Sequence, residues 1–386
     1  MRVTLNAIEP TRTKCGDRAC RTRQLQCKSV ARRATVATDL ATNMIATRIL
    51  RRPRVLVVGC GDVGLRCVAQ WRDTRRDLRI VALTSHPARL DALRAAGATP
   101  IVGDLDRPQT LRRLRGLART ILHLAPPQPD GRDDRRTRAL VAALTMPARR
   151  RPPQPATGRL RRLRAAQGPL QAPARKGRIV PDGLRAPRLV YASTTGVYGD
   201  CGGARIDETQ PLRPANPRAF RRVSAERQLR AATVRGVLVA SIVRIPGIYA
   251  ANRLPLARLE RGTPALEPAD DVYTNHVHAD DLAAILRRTA ERGRPARVVH
   301  ASDDSELRMG EYFDRVAHAF GLPPPPRISR ADAERQLEPT LLSFMRESRR
   351  LSNARLKAEL CVSLRYPTVD DFLQTLAPRG ASRERG

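Results

Sequence analysis

Two short stretches hold the residue types best suited to chemistry. The first is YASTTGVYGD, which packs Tyr191, Ser193, Thr194, Thr195 and Tyr198 behind an apolar start, Leu189–Val190. Hydroxyls crowded at the end of a strand form the lip of a site, where each can donate or accept a hydrogen bond. The second is Gly59-Cys60-Gly61-Asp62-Val63-Gly64, directly after the apolar run RVLVV. A GxGxxG spacing that follows a strand and opens a helix has a defined mechanism. Gly59 permits the tight turn, Gly61 lets the backbone approach a pyrophosphate, and Gly64 lets the helix pack on the strand. Free amides at the helix start then face phosphate charge. These residues, with Asp62 and Val63 in the first turn, are candidate ligands of a dinucleotide.

Later strand ends supply further candidates. A site specific for NAD usually shows an acid roughly 20 residues beyond the glycines, on the ribose 2′-hydroxyl. Here the second strand ends Leu83-Thr84-Ser85-His86 with no acid, so a 2′-phosphate is not repelled. Thr84, Ser85 or Arg89 could bind it, which favours NADP over NAD. Asp104 and Leu105 follow the third strand; the carboxylate could accept from an adenine amino group or cap the next helix. Leu124-Ala125-Pro126 ends the fourth strand, where small residues allow close passage of a cofactor. His276 and His278 share a strand face, but no third ligand is evident, so no metal is expected.

These residues need a scaffold, and the pattern provides one. Apolar strands fall at 54–59, 79–84, 99–102, 120–125, 188–193, 236–244 and 296–302. Helical segments over 62–71, 87–96, 111–117, 133–144, 218–233 and 279–292 alternate with them. That alternation implies βαβ units, a parallel sheet and an α/β doubly wound Rossmann-type fold. Residues 54–305 form the nucleotide-binding domain, and 306–386 form a small helical C-terminal lobe and tail. Residues 147–187 break the rhythm with a Pro- and Arg-rich run, read as a disordered surface insertion or one carrying a local helix over 159–166. Residues 1–53 read as a basic, disordered arm.

The formal charge is +35 over 386 residues, which by itself suggests a nucleic-acid partner. Two features argue against it. Only Lys14, Lys28, Lys176 and Lys357 are lysines among 72 basic residues, a skew that fits codon bias better than a selected basic face. The charge is also localised, with +10 in residues 1–54 and +11 in 148–188. No apolar run is long enough for a membrane helix. Seven scattered cysteines form no disulfide framework or zinc spacing and suit a reducing cytoplasm.

GCGDVG, GDLD, HLAPP, STTGVYG, RIPGIY and NHVHADDLA occur in an order and spacing that resembles the extended short-chain dehydrogenase/reductases, in particular the NAD-dependent epimerase/dehydratase family. The C-terminal SRRLSNARLKAEL…YPT resembles the tail of an atypical bacterial branch. The resemblance implies a Rossmann domain with a small substrate lobe and pairing into a homodimer. It implies that Thr194, three residues before the Val of VYG, is the catalytic hydroxyl. It places Pro246 and Gly247 near the nicotinamide carboxamide, and gives His278 and Asp280 a structural, helix-capping part. The family's base is Tyr in a Tyr-x-x-x-Lys pair. With Glu226 as the residue four beyond the Lys, the Lys position is Arg222 and the Tyr position is Arg218, so the pair is absent. Arg222 could still hold ribose oxygens, whereas Arg218 cannot act as a base because guanidinium stays protonated. Tyr198 is the candidate substitute. The implied activity is hydride transfer between NAD(P) and a hydroxyl or keto carbon of a small substrate, nucleotide-sugar-like by family habit. The alternative is a dinucleotide-binding sensor or scaffold without turnover.

Overall fold

The computed structural model describes residues 52–145 and 186–376. The arm, nearly all of the 147–187 insertion and the last residues of the tail lie outside the described residues. Seven parallel strands make the central sheet: β1 (Arg54–Val58), β2 (Arg79–Thr84), β3 (Thr99–Val102), β4 (Thr120–His123), β5 (Arg188–Thr194), β6 (Val239–Ile245) and β7 (Val298–His300). Their spatial order is β7-β6-β5-β4-β1-β2-β3, with β1 in register between β2 (Val55 opposite Ile80) and β4 (Val55 opposite Thr120).

The strands are apolar on both faces because helices cover both. Side chains alternate along β1: Val55 and Val57 join one core, while Leu56 and Val58 join the other. On the first face lie α1 (Asp62–Thr74), which buries Cys67, Val68 and Trp71, and the later helix 279–292, which buries Leu282, Ile285 and Leu286. Between them in sequence, α2 (Leu90–Ala95) follows a 3-10 turn at Pro87–Arg89. On the second face lie α3 (Arg135–Thr145) and α4 (Pro217–Val234), which bury Leu140, Leu144, Ala225 and Leu229. Asn216 starts α4 by accepting from the Ala219 amide at 2.9 Å, and Pro217 fills the first helical position. The segment expected as a short helix at 111–117 is instead a 3-10 helix over Pro108–Leu114.

A smaller lobe is assembled from chain on both sides of the last sheet strand. It contains α5 (Leu256–Glu260); α6 (Ala279–Arg292) follows it back in the sheet layer. Then come α7 (Met309–Ala319), α8 (Arg330–Gln336) and α9 (Pro339–Met345). Its core holds Tyr249, Leu259, Tyr312, Phe313 and Phe372. The chain then returns to the sheet. Arg350–Leu351 pairs with Arg205–Ile206, and α10 (Ala354–Leu360) buries Leu356 and Leu360 beside α6. Arg355 donates to the Val298 carbonyl at 3.1 Å, which ties α10 to edge strand β7. Finally α11 (Val369–Leu376) packs into the lobe core.

Candidate functional site

Chain order reverses where β1 lies between β2 and β4, which opens a crevice at the carboxyl ends of these strands. The glycine loop lies there. Gly59 has φ +82, and a Cβ on it would lie 2.5 Å from the Ala125 backbone nitrogen, so only glycine fits. Ala125 therefore braces the turn from β4. Gly61 differs: its φ is −80, it precedes α1 without a side-chain cap, and a Cβ there would meet no atom within 4 Å. An open space above uncapped helix-start amides fits a pyrophosphate. Gly64 packs close to Cys60, whose sulfur lies 3.2 Å from its Cβ position. Asp62 turns outward and is held by Arg66 and by Arg253, the latter at 2.9 Å.

A cavity of about 590 Å³ extends from Val63, in the first turn of α1, to the small lobe. Among the expected residues, Val63, Leu124, Thr194, Arg222, Pro246 and Gly247 line it. Thr194 ends β5 and is half-buried, its Oγ1 accepting from the Gly196 amide at 3.3 Å. Arg222 is fixed from α4: its Nη1 donates to the Ala192 carbonyl at 2.7 Å and to the Tyr191 hydroxyl at 3.1 Å. Its Nε has no partner among the described residues. Arg218 also lines the cavity, with its guanidinium 5.0 Å from the Phe344 ring centre.

Four expected residues are directed elsewhere. Tyr198 is fully buried and absent from the cavity wall. Its hydroxyl bonds His300 Nε2 at 2.5 Å and accepts from Arg244 Nη1 at 2.6 Å. Burial pushes its pKa up to about 12, against the pull of Arg244, so it is unsuited to exchange protons with a ligand near neutral pH. The candidate substitute base thus lies in the packed core, away from the cavity. Thr84 directs its Oγ1 to its own turn, accepting from the His86 amide at 3.1 Å. Leu105 is buried in the core with Leu111 and Leu114. Asp104 accepts from the Asp106 amide at 2.9 Å, so its carboxylate closes a turn.

Tyr198 belongs to a buried chain of polar groups. Arg244 donates to both oxygens of Glu226, at 3.1 and 2.7 Å, and Ser193 donates to Glu226 Oε1 at 2.7 Å. His300 Nδ1 lies 2.9 Å from the Ser352 carbonyl. Burial drives the His300 pKa down to about 4, so the ring is neutral. Glu226 and Arg244 are each almost fully enclosed, and such a pair is tolerated only with its hydrogen bonds satisfied. The chain fixes Ser193, the neighbour of Thr194, to α4, the helix that carries Arg222. The His-Asp stretch is structural as expected: His278 Nδ1 accepts from the Asp280 amide at 3.2 Å and starts α6. No His, Cys, Asp and Glu cluster among the described residues could hold a metal.

The sequence reading missed two cavity residues. Arg258, on α5, stacks 4.2 Å from the Phe313 ring centre and has no carboxylate partner among the described residues. Burial lowers its pKa to about 10. Glu347 enters from the chain after α9, bonded to Arg349 at 2.9 Å. Nothing in local spacing marks either one, because both arrive from the distant lobe in an Arg-rich background.

Comparison with known proteins supports the motif-based resemblance. Residues 179–302 match the NAD dependent epimerase/dehydratase family. This stretch is thus similar to that family over about a third of the chain. It contains Thr194, Arg222, Pro246 and Gly247 and begins beyond the glycine loop. The 2′-dehydrokanamycin reductase of Streptomyces kanamyceticus is 28% identical over 148 residues, 35% of this chain and 42% of that protein. The chain spans about half or less of the length of the curated relatives it matches. Among solved structures, a conserved protein of unknown function from Silicibacter pomeroyi DSS superposes with a TM-score of 0.59 at 26% identity, covering 84% of this chain and 98% of that one. A dTDP-glucose 4,6-dehydratase from Bacillus anthracis str. Ames, in complex with NAD, superposes with a TM-score of 0.60 at 16% identity, covering 84% and 94%. The matched segment thus lies within a Rossmann-like α/β architecture that these solved structures share over 84% of this chain.

Proposed function

We propose that this chain binds a nicotinamide dinucleotide along the carboxyl edge of the sheet and exchanges hydride with a hydroxyl or carbonyl carbon held at Thr194. The observation that carries this reading is proximity. Open space lies above Gly61 at the uncapped start of α1, and Val63, in the first turn of the same helix, lines the cavity walled by Thr194, Arg222 and Gly247. The bound dinucleotide would supply the hydride acceptor or donor at its nicotinamide ring. Gly61 and the amides of α1 would hold its pyrophosphate, and Arg222 would hold ribose oxygens in place of a lysine. Thr194 would orient the substrate oxygen.

NADP is favoured over NAD. The end of β2 carries no acid, and Arg89 lies close enough to lower the pKa of Cys60 in the glycine loop, against the dominant effect of burial. Thr84 contributes less than its position suggests, because its hydroxyl is engaged locally. A substrate with an anionic group, such as a nucleotide sugar, suits Arg258, whose charge is uncompensated at the cavity wall. The solved neighbour that acts on dTDP-glucose supports that class. Fluorescence titration with NADPH and NADH tests cofactor choice: tighter NADPH binding is expected, and a preference for NADH would reverse the assignment. The second reading, a dinucleotide sensor without turnover, is favoured by one observation, the burial of Tyr198 away from the cavity. Bound NADPH that no sugar or carbonyl compound oxidises would establish it.

A further inference from the structure

The cavity has a catalytic hydroxyl at Thr194 but neither Tyr nor Lys at the positions where the family resemblance expects them. A proton acceptor must come from elsewhere if a hydroxyl is to be oxidised there. Among the described residues, Glu347 is the only Asp, Glu or His in the cavity walls. Its position relative to Thr194 is defined by Gly196. A Cβ built on Gly196 would lie 3.7 Å from Thr194 Oγ1 and 3.9 Å from Glu347 Oε2. The hydroxyl and the carboxylate thus both lie within 4 Å of one point over a residue that has no side chain to separate them. One substrate oxygen between them could bond both, at hydrogen-bond lengths of about 2.6–3.2 Å.

Glu347 is also held in place. Arg349 Nη1 bonds its Oε2 at 2.9 Å, with both side chains nearly buried, and Asn216 Nδ2 lies 3.4 Å from Oε1. Arg349 is anchored independently, since its Nη1 also donates to the Gly199 carbonyl at 2.6 Å. Its Nε is buried without a partner among the described residues. The ion pair therefore fixes the carboxylate against the 195–199 turn, beside Thr194. The other ionisable oxygen in the wall, the Tyr273 phenol, belongs to a ring stacked on Arg308 and Arg350, with guanidinium distances of 5.5 and 4.9 Å.

We propose that Glu347, delivered from the small lobe, is the acid/base residue of this site. The proposal rests on the hydride-transfer reading above. In the oxidative direction the substrate O–H bond breaks and its proton passes to a Glu347 carboxylate oxygen. The adjacent C–H bond breaks, its electron pair leaves as hydride to the oxidised nicotinamide dinucleotide, and the carbonyl double bond forms. In reduction the same atoms move in reverse, and the Glu347 acid returns the proton.

The test uses the full chain with NAD or NADP, and dTDP-glucose plus a panel of free aldoses as probes. Dinucleotide affinity is read by fluorescence and oxidation by reduced-nicotinamide absorbance. Glu347→Gln keeps dinucleotide affinity within about twofold and lowers the oxidation rate by roughly 10²–10⁴, the usual worth of a positioned base. It also removes the acid limb of the pH–rate profile. Glu347→Asp recovers part of the rate, and Tyr273→Phe changes it by less than about tenfold, because that phenol is assigned no proton transfer. An E347Q protein with wild-type rate and pH profile overturns the proposal. So does an E347Q protein that loses melting temperature and dinucleotide affinity together, since the ion pair is then only structural. A wild-type chain that binds the dinucleotide but oxidises none of the probes overturns it too and leaves the binding reading intact. A chain that binds no dinucleotide overturns both.

Discussion

Thr194 and Tyr198 stand four residues apart, and the backbone gives them different surroundings. Thr194 ends the strand and faces the cavity, while the 3-10 turn after it carries Tyr198 into the core. Paired substitutions separate the two. Thr194→Ala lowers turnover by roughly 10²–10³ with dinucleotide affinity unchanged, as expected when one hydrogen bond to the reacting oxygen is removed. Tyr198→Phe leaves turnover of the folded protein near wild type. It costs about 1–3 kcal/mol of stability, because Arg244 and His300 lose a buried partner. Urea unfolding and steady-state rates on the same preparations check both; a Tyr198→Phe enzyme that is stable but inactive would return Tyr198 to catalysis. The hydroxyl run at a strand end is a local signal that marked the stretch, and the family resemblance singled out Thr194 within it. Neither signal showed that Tyr198 turns away from the cavity, because the direction of a side chain after the strand depends on the turn type. Glu347 was invisible for a related reason: its partners Asn216 and Arg349 and its neighbour Gly196 meet only in three dimensions.

The elements were the most legible level. Buried parallel strands are apolar on both faces, so 54–58 and 79–84 stand out, and the 279–292 helix matches its expected bounds. Less legible were the short pieces of the lobe, whose pairings such as Arg327–Ile328 with Ala265–Leu266 are too brief for periodicity to register. One such junction has a measurable pH dependence. Asp303 follows β7, its amide donating to the His276 carbonyl at 2.8 Å and its Oδ1 accepting from the Ser305 amide at 3.0 Å. Burial pushes the carboxyl up to about 8, against the opposing pull of hydrogen bonds from Ser305 and Tyr249. A carboxyl raised on folding contributes stability that is fully present below its unfolded value, near 3.8, and is lost as pH climbs through about 8. Asp303→Asn, neutral at all pH, escapes that loss. Its melting temperature relative to wild type rises between about pH 5 and about pH 9. Parallel curves for the two proteins would contradict the assignment.

Across the whole molecule, the charge and the fold give different impressions, and the fold carries more information. The +35 is concentrated in segments outside the described residues, whereas the sheet, its two helix layers and the lobe form an apolar-cored body around the crevice. No helix among the described residues is long and apolar enough to cross a membrane. The doubly wound architecture was readable because strand and helix alternate at regular spacing. The return of residues 350–360 to the sheet edge was not, because a chain that leaves a domain and comes back leaves no local pattern. The central claim is that a dinucleotide lies over Gly61. It is tested most directly by titrating NADPH into wild type and Gly61→Ala, with thermal melts of each. A Cβ at Gly61 meets no protein atom and needs no strained φ, so the variant should melt within a few degrees of wild type, as expected for a loss of about 0.5 kcal/mol at a helix start. The account predicts that this stable variant binds NADPH at least about tenfold more weakly, because its methyl occupies the pyrophosphate's approach. Equal binding by the two proteins, or none by wild type, would contradict it.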